Sequence, residues 1–259
     1  MRKDTRPKHA FGASMEGARD PHEARSRPSS SSTGCVAADR TPVTSWDMVI
    51  AGLMAPAMLL AFVMLGDFVR RGQADAFDSH VRLLVLAHRP ALLQTGFRWI
   101  TTVGSVTPMV VYAIIGALLL VLRGRPLAAA AALVAPAGAI VAYLGLKNVF
   151  ARNRPSGIGN VIEGTYSFPS AHATTSAAVC CTLAYICWRE RMLRGPAALA
   201  LCIITPALVG GSRVVLDVHW ATDVLGGWLA GLCMAALAAL LYLLSRRADA
   251  RRPLNELPT

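Results

Sequence analysis

A histidine and a carboxylate stand four residues apart at the start of an apolar stretch, at His219 and Asp223, shortly after Arg213. If a helix has begun at His219, Asp223 lies one turn later on the same face, within reach of the imidazole. A carboxylate in that position can hold one ring nitrogen protonated and leave the other free to act as a nucleophile. Taken alone, the pair fits a satisfied histidine near a helix start at a membrane interface equally well. The segment from Ser212 to Asp223 therefore indicates a catalytic site only if other functional groups lie beside it.

The composition places these groups in a membrane protein. Of the 259 residues, 54% are hydrophobic and 16% are charged, which suits one domain and is too apolar for an ordinary soluble one. The formal charge of +11 would indicate nucleic acid in a soluble protein, but here the basic residues lie in the tails and between apolar stretches. That distribution is typical of membrane topology, so we expect a membrane as partner and no nucleic acid.

Six apolar stretches predict an all-α polytopic membrane protein with six transmembrane helices. The first stretch has about the 20 residues that a helix needs to cross a bilayer, and it is too long for a cleaved signal. The predicted spans are about 48–69, 108–122, 127–146, 173–188, 196–211 and 223–244. Residues 70–107 mix charged and apolar positions, which indicates interfacial helices between the first and second spans.

Two tails flank the predicted membrane domain, which covers residues 46–245. Residues 1–45 are rich in Arg, Ser, Pro, Gly and Ala and nearly lack large apolar side chains, so we expect a disordered cytoplasmic tail. Residues 246–259 form a short basic cytoplasmic tail. Of the 26 Lys and Arg residues, 17 fall in the tails and in the turns at 123–125 and 189–194. The positive-inside rule then places both termini in the cytoplasm.

The remaining polar segments, 147–172 and 212–223, are expected to meet on the other, extracytoplasmic face. The 39 residues between His172 and Ser212 suffice for two membrane-crossing helices and a turn. The converging side chains are Lys147, Arg152, Arg154, Ser170, His172, Arg213, His219 and Asp223. Guanidinium forks, an ammonium group and the amides of a helix start suit phosphate best. A single arginine here is more often an interfacial anchor, but the full set on one face favours an anion site.

Three motifs follow one another along the chain. Lys147 to Pro155 fits K-x6-R-P, the segment Pro169-Ser170-Ala171-His172 is close to P-S-G-H, and Ser212 to Asp223 fits S-R-x5-H-x3-D. In this order and spacing they resemble the type-2 phosphatidic acid phosphatase superfamily of membrane lipid phosphatases. The resemblance covers about residues 48–244. The one departure is Ala171, where the family pattern has glycine. Its N–H remains, but a methyl group borders the pocket and the backbone must avoid positive φ.

The resemblance implies a role for each matched residue. His219 would be the nucleophile that forms a phosphohistidine, Asp223 would orient it, and His172 would protonate the leaving oxygen and then activate water. The phosphoryl oxygens would be held by Lys147, Arg154, Ser170, Ala171 and Arg213. No cofactor and no metal are expected, because the site has its own cations and lacks a carboxylate cluster suited to Mg²⁺.

We therefore expect a metal-independent membrane phosphatase that acts on a lipid phosphate or diphosphate at the outer face of a bacterial-type inner membrane. Undecaprenyl diphosphate, phosphatidate and phosphatidylglycerol phosphate all fit. One alternative is a phosphotransferase that passes the phosphoryl group from His219 to another lipid. A second is a transporter, since ionisable residues at helix ends often mark ion paths, although here the charges gather at one face.

Other polar residues receive lesser roles. Arg152 lies between matched positions and is interpreted as a contact behind the site or with a lipid headgroup. Asp217 could compete with Asp223, but it faces away from His219 in a helix. His9, His22, His80 and His88 are expected to be solvated. The six cysteines lack CxxC spacing and mostly lie in apolar stretches, so we expect buried thiols rather than disulfides or zinc ligands.

Overall fold

The computed structural model describes residues 43–155 and 164–251, and every regular element in these ranges is an α-helix. The helices are α1 Ser45–Arg70, α2 Asp75–Ala87, α3 Ala91–Val103, α4 Val106–Leu122, α5 Pro126–Phe150, α6 Ala171–Arg189, α7 Gly195–Val215 and α8 Ala221–Arg251. The all-α prediction is confirmed for this part of the chain. The tail predicted for residues 1–45 lies almost entirely outside the described residues and stays a prediction.

Four of these helices are long and apolar enough to cross a bilayer: α1, α5, α7 and residues Ala221–Ala248 of α8. Helices α3 and α4 pass the same test only as a pair, Leu92–Val103 with Val106–Leu122, bent by 48° at the break. The described residues thus hold four candidate spans, or five if the bent pair is one span. Six spans remain a prediction.

The predicted span at 173–188 corresponds to α6, which is not among these candidates because it carries polar side chains inward. Thr174, Thr175, Ser176 and Thr182 are all buried. They make the helix less apolar than its neighbours, although its 19 residues extend about 28 Å at 1.5 Å per residue. Buried positions run along α6 from its first turn to Arg189. It is therefore a central helix whose polar groups face protein rather than lipid.

Residues 70–107, predicted as interfacial helices, form α2 and α3. Helix α3 leads into α4 as the first half of the bent pair, so it belongs to a candidate span. Helix α2 is tied to the end of α7 by a bidentate pair, in which Arg82 donates to the Asp217 carboxylate at 2.7 and 2.9 Å. The position of α2 and α3 relative to a membrane surface stays a prediction.

Helices α6 and α8 approach each other closely because glycines face α6. A Cβ on Gly227 would lie 2.8 Å from the carbonyl oxygen of Ser170, and a Cβ on Gly231 would overlap the carbonyl oxygen of Thr174. Where the two helices begin, the Ser170 N–H donates to the carbonyl oxygen of Asp223 at 3.0 Å. Small residues of this kind let membrane helices pack backbone to backbone. The packing therefore joins the starts of α6 and α8, where two of the motifs lie.

Three aromatic rings fix the segment that enters α6. The Phe168 ring lies 4.6 Å from that of Phe150 at the end of α5 and 5.7 Å from that of Phe62 in α1, measured between centroids. Phe168 is fully buried. Its contacts hold the residues before Ser170 against α1 and α5, so the second motif is anchored by core packing.

The opposite ends of the helices are joined by a buried carboxylate, Glu190. It accepts hydrogen bonds from Arg125 at 2.9 Å, from Arg246 at 3.2 Å and from the Tyr242 hydroxyl at 2.7 Å. Helix α8 continues to Arg251, whereas the sequence predicted that it ends near Leu244. The start of the basic tail predicted for 246–259 is thus helical, and its Arg246 binds Glu190 and the Tyr242 hydroxyl.

The close contact between α6 and α8 can be tested with Gly231→Ala. Because the added methyl group meets the Thr174 carbonyl, and overpacking costs about 1–3 kcal/mol, the melting temperature in detergent should fall by about 3–10 °C. Gly52→Ala is the matched control: this position also lies in a helix, and no atom lies within 4 Å of a Cβ there. That variant should melt at the same or a higher temperature, since alanine favours helix by about 1 kcal/mol. Equal melting temperatures for the two variants would contradict the close packing.

Candidate active site

His219 and Asp223 are brought together, although not as two residues of one helix. Helix α8 begins at Ala221, two residues before the predicted start near Asp223, so His219 precedes the helix. Asp223 nevertheless places Oδ2 at 3.3 Å from His219 Nδ1 and accepts the Trp220 N–H at 2.9 Å. A carboxylate in the first turn that binds the N–H just before the helix is half of a capping box. Both His219 and Asp223 are buried, so this local contact fixes the imidazole.

The second nitrogen of His219 faces an arginine. Arg154 Nη1 lies 3.0 Å from His219 Nε2 and donates to the carbonyl oxygen of Val218 at 2.8 Å. A guanidinium group can only donate, so Nε2 is the acceptor and Nδ1 carries the ring proton toward Asp223. We assign this tautomer from the hydrogen-bond pattern. It leaves a lone pair on Nε2, on the side of the cations.

Lys147 and Arg154, the two matched cations of the first motif, both donate hydrogen bonds to Thr165. Thr165 Oγ1 accepts from Lys147 Nζ at 2.8 Å and from Arg154 Nη2 at 3.3 Å, and its carbonyl oxygen accepts from Arg154 Nε at 3.0 Å. Lys147 and Thr165 border a cavity of about 560 Å³. Thr165 belongs to no motif, and the sequence analysis missed it.

The side chain of Ser170 does not cap α6, the helix that follows it. Ser170 is the residue before α6, and its buried Oγ has no hydrogen-bond partner in the described part of the chain. Leaving a buried hydroxyl unsatisfied costs about 1–3 kcal/mol, so an acceptor bound at this helix N-terminus would remove that cost. Half-buried Ala171 and His172 follow as the first two residues of α6. Ala171 is helical, so its methyl group needs no left-handed backbone.

Arg213 holds the loop that carries His219. It lies buried in the last turn of α7, and its carbonyl oxygen accepts the N–H groups of Val218 and His219, both at 3.2 Å. Its Nη1 donates to Thr101 Oγ1 of α3 at 2.8 Å. Backbone hydrogen bonds within the third motif therefore join Arg213 to His219.

Arg152 is placed behind the site, as one of its two predicted alternatives states. Its Nη1 donates to Asp223 Oδ1 and to Thr222 Oγ1, both at 2.8 Å, and its Nη2 donates to Asp78 Oδ2 at 2.7 Å. Burial alone would lower the pKa of Arg152, but the carboxylates of Asp223 and Asp78 outweigh it and raise that pKa. The sequence analysis assigned no role to Asp78 or Thr222.

The other residues given lesser roles have these placements. Asp217 forms an ion pair with Arg82 of α2 at 2.7 Å. His80 and His88 are exposed, whereas His9 and His22 lie outside the described residues. The described cysteines are free thiols, three of them buried: Cys180, Cys181 and Cys233. Within residues 43–155 and 164–251, no group of three or more His, Cys, Asp or Glu side chains could hold a metal ion.

The sequence matches the model of one protein family, the PAP2 superfamily, over residues 126–247. All candidate site residues from Lys147 to Asp223 fall within this match. Over this stretch the chain is similar to the PAP2 superfamily. Asp78 and α1 to α4 lie before the part that the PAP2 model covers, so the family match does not describe them.

Two bacterial relatives have been named for their activity. Phosphatidylglycerophosphatase B of Bacillus subtilis (strain 168) is 38% identical over 92 residues, which are 34% of this chain and 45% of the relative. YbjG of Escherichia coli (strain K12), named as a candidate undecaprenyl-diphosphatase, is 40% identical over 72 residues, 27% of this chain and 33% of the relative. The matches thus span less than half the length of either relative.

A solved structure supports the same fold over a longer stretch. It is the crystal structure of the transmembrane PAP2-type phosphatidylglycerolphosphate phosphatase from Bacillus subtilis, with a TM-score of 0.60 and 26% identity. The match covers 77% of this chain and 98% of that one. The helical arrangement, including the part before residue 126, is therefore that of a transmembrane PAP2 protein.

The unsatisfied hydroxyl of Ser170 predicts opposite effects on stability and on anion binding. In Ser170→Ala the melting temperature should stay unchanged or rise, because no hydrogen bond is lost. Affinity for inorganic phosphate should fall about 10- to 100-fold, the value of one hydrogen bond to a charged group.

Thr182→Val is the matched control, since Thr182 Oγ1 is also buried on α6 without a partner in the described chain but lies three turns farther along. It should keep phosphate affinity, measured by competition in detergent. Equal phosphate affinity in both variants and the wild type would show that Ser170 does not contact the anion.

Proposed function

We propose that this protein is a membrane lipid phosphatase that cleaves a lipid phosphate or diphosphate through a phosphohistidine on His219. One observation carries the proposal: His219 has Asp223 at Nδ1 and a guanidinium group at Nε2. An imidazole held as its Nδ1–H tautomer has its nucleophilic lone pair where a phosphoryl group bound by Arg154 would lie. The match of residues 126–247 to the PAP2 superfamily model and the names of the similar proteins support this reaction class.

In the first step, His219 Nε2 attacks phosphorus while the bond to the leaving oxygen breaks. His172 donates a proton to that oxygen, which departs as the lipid alcohol or, from a diphosphate, as the lipid monophosphate. When substrate binds, Arg154 Nη1 donates its hydrogen bond to a phosphoryl oxygen instead of to His219 Nε2. The group that holds the tautomer in the free protein then binds the substrate. Lys147, Arg213 and the Ser170 hydroxyl stabilise the other oxygens of the transferring group.

In the second step, a water molecule replaces His219 on phosphorus. His172, now neutral, removes a proton from the water as its oxygen attacks, and the P–N bond breaks to release inorganic phosphate. In both steps Asp223 accepts a hydrogen bond from the Nδ1–H group of His219. This bond stabilises the imidazole as its charge changes. The side chains that hold charge in both steps are arginine and lysine, so the proposed reaction needs no metal ion.

The proposal locates the site at the outer face of the membrane. The candidate residues lie at the end of α5, the starts of α6 and α8 and the end of α7, whereas basic residues cluster at the opposite helix ends. Those residues are Arg123, Arg125, Arg189, Arg191, Arg194, Arg246 and Arg247, and with the two tails that adjoin these helix ends they make up 17 of the 26 Lys and Arg residues. An excess of Lys and Arg marks the cytoplasmic side. A lipid could then keep its chain in the bilayer and present its phosphate to the cations.

Phosphatidylglycerol phosphate, phosphatidate and undecaprenyl diphosphate are the substrates to compare. The names of the relatives point to the first and the third. Each carries a phosphate at the end of a membrane-embedded chain, so the site can treat them alike. Release of free phosphate with one of these lipids as sole substrate distinguishes hydrolysis from transfer to a second lipid.

The two histidines should respond differently to the leaving group. His219→Ala should abolish phosphate release from every substrate, assayed in excess EDTA. General acid catalysis is worth about 10²–10⁴ in rate, so His172→Ala should lose close to the upper value on phosphatidate, whose alkoxide leaves poorly. On a lipid diphosphate the loss should be clearly smaller, because a phosphate leaves as a more stable anion.

Single-turnover rates of phosphoenzyme formation make this comparison without interference from the second step. Equal losses on both substrates in His172→Ala would mean that His172 is not the acid. Greater residual turnover in His219→Ala than in His172→Ala would mean that His219 is not the nucleophile.

A further inference from the structure

Asp78 is a fully buried carboxylate on a helix that belongs to none of the three motifs. It lies in the first turn of α2 and is 1% exposed. Its Oδ1 accepts the N–H of Thr222 at 3.0 Å, and its Oδ2 accepts from the Thr222 hydroxyl and from Arg152 Nη2 at 2.7 Å. Both oxygens are thus used by groups that adjoin Asp223.

Through Thr222, Asp78 holds the start of α8. Thr222 is the second residue of that helix, so its N–H has no acceptor within the helix. A carboxylate there satisfies the N–H and interacts favourably with the positive end of the helix dipole. The next residue along the helix is Asp223, so Asp78 fixes the backbone from which that side chain extends.

Through Arg152, Asp78 also acts on the Asp223 carboxylate itself. The guanidinium group donates Nη1 to Asp223 Oδ1 at 2.8 Å and Nη2 to Asp78. Because the guanidinium is planar and rigid, anchoring one side of it orients the other. With Oδ1 of Asp223 held in this way, Oδ2 faces His219 Nδ1.

We propose that Asp78 is a positioning residue for His219, acting through Arg152 and Thr222 on the orientation of Asp223. The inference rests on the proposed function, because it assigns Asp78 to the nucleophilic half of that site. The Asp78 carboxylate makes its hydrogen bonds to Thr222 and Arg152 rather than to the phosphate-binding candidates Lys147, Arg154 and Ser170. Its loss should therefore slow the chemistry and leave phosphate binding intact.

The test is Asp78→Asn in the full-length protein, with Asp75→Asn as the matched control. The asparagine Oδ1 can still accept the Thr222 N–H, whereas its amide nitrogen cannot accept from Arg152, so the substitution breaks the charged link and keeps the cap. Asp75 lies in the same helical turn, but its side chain is 71% exposed and its nearest approach to Arg152 is 3.6 Å. Both variants lose one negative charge near the same arginine.

For Asp78→Asn we expect kcat to fall about 10- to 100-fold, the usual effect of removing a group that orients a reactive side chain. KM, and the inhibition constant of inorganic phosphate, should stay within about threefold of wild type, since uniform binding is not affected. Asp75→Asn should keep kcat within about twofold. A purely structural role would instead reduce the folded fraction, and loss of the phosphate site would raise the phosphate inhibition constant.

The outcomes separate this inference from the proposed function. A wild-type protein that releases no phosphate from any lipid phosphate, or whose activity survives His219→Ala, overturns the function. A wild type that needs His219 while Asp78→Asn matches Asp75→Asn in kcat overturns the inference alone, as does a loss in Asp78→Asn that lies in KM and phosphate inhibition. If Asp78→Asn fails to fold, Arg152→Lys is the test variant. It keeps the positive charge but lacks the two guanidinium nitrogens that bind Asp223 and Asp78 together. A lower kcat with unchanged phosphate inhibition supports the inference, and an unchanged kcat overturns it.

Discussion

The buried carboxylate of Asp223 is the group on which the candidate site depends. It has no exposed surface, and removing such a charge from water costs several kcal/mol unless donors surround it. The donors come from the loop before α8 through Trp220 and His219 and from the end of α5 through Arg152. Satisfying this one charge therefore brings together two of the three motifs and fixes the imidazole between them.

The remaining motif, Pro169-Ser170-Ala171-His172, joins them through backbone packing rather than charge. Gly227 and Gly231 let α8 lie against α6, and the Ser170 N–H then reaches the Asp223 carbonyl oxygen. The starts of both helices are thus adjacent, and each contributes N–H groups that lack acceptors within its helix. An anion placed at the start of α6 would meet that helix N-terminus as well as the cations, whereas at the start of α8 the Thr222 N–H is already bound by Asp78.

The residues of the motifs could be predicted from the sequence because spacing carries their meaning. The four-residue interval of His219 and Asp223 puts them in contact, and it does so even though the helix begins at Ala221. That start is set by the bond from Trp220 to Asp223, which no hydrophobic periodicity reveals. The central position of α6 was likewise hidden, because the sequence does not show whether its threonines face protein or lipid.

The supporting contacts could not be predicted, since they join residues far apart in the chain. Asp78 meets Thr222 across 144 positions and Arg152 across 74, and Thr165 meets Lys147 across 18. An aspartate in the first turn of an amphipathic helix has the same local pattern as its exposed neighbour Asp75. Only the tertiary structure distinguishes the buried carboxylate from the solvated one.

The most direct measurement of the central claim is chemical identification of the phosphoenzyme. Rapid quenching with base of a reaction on a lipid phosphate labelled in its phosphoryl group should trap the label on the protein. Peptide mapping should place it on His219, in a bond that is stable in alkali and lost in acid, as expected for phosphohistidine. Turnover without any trapped label under single-turnover conditions, or label on another residue, would contradict the account.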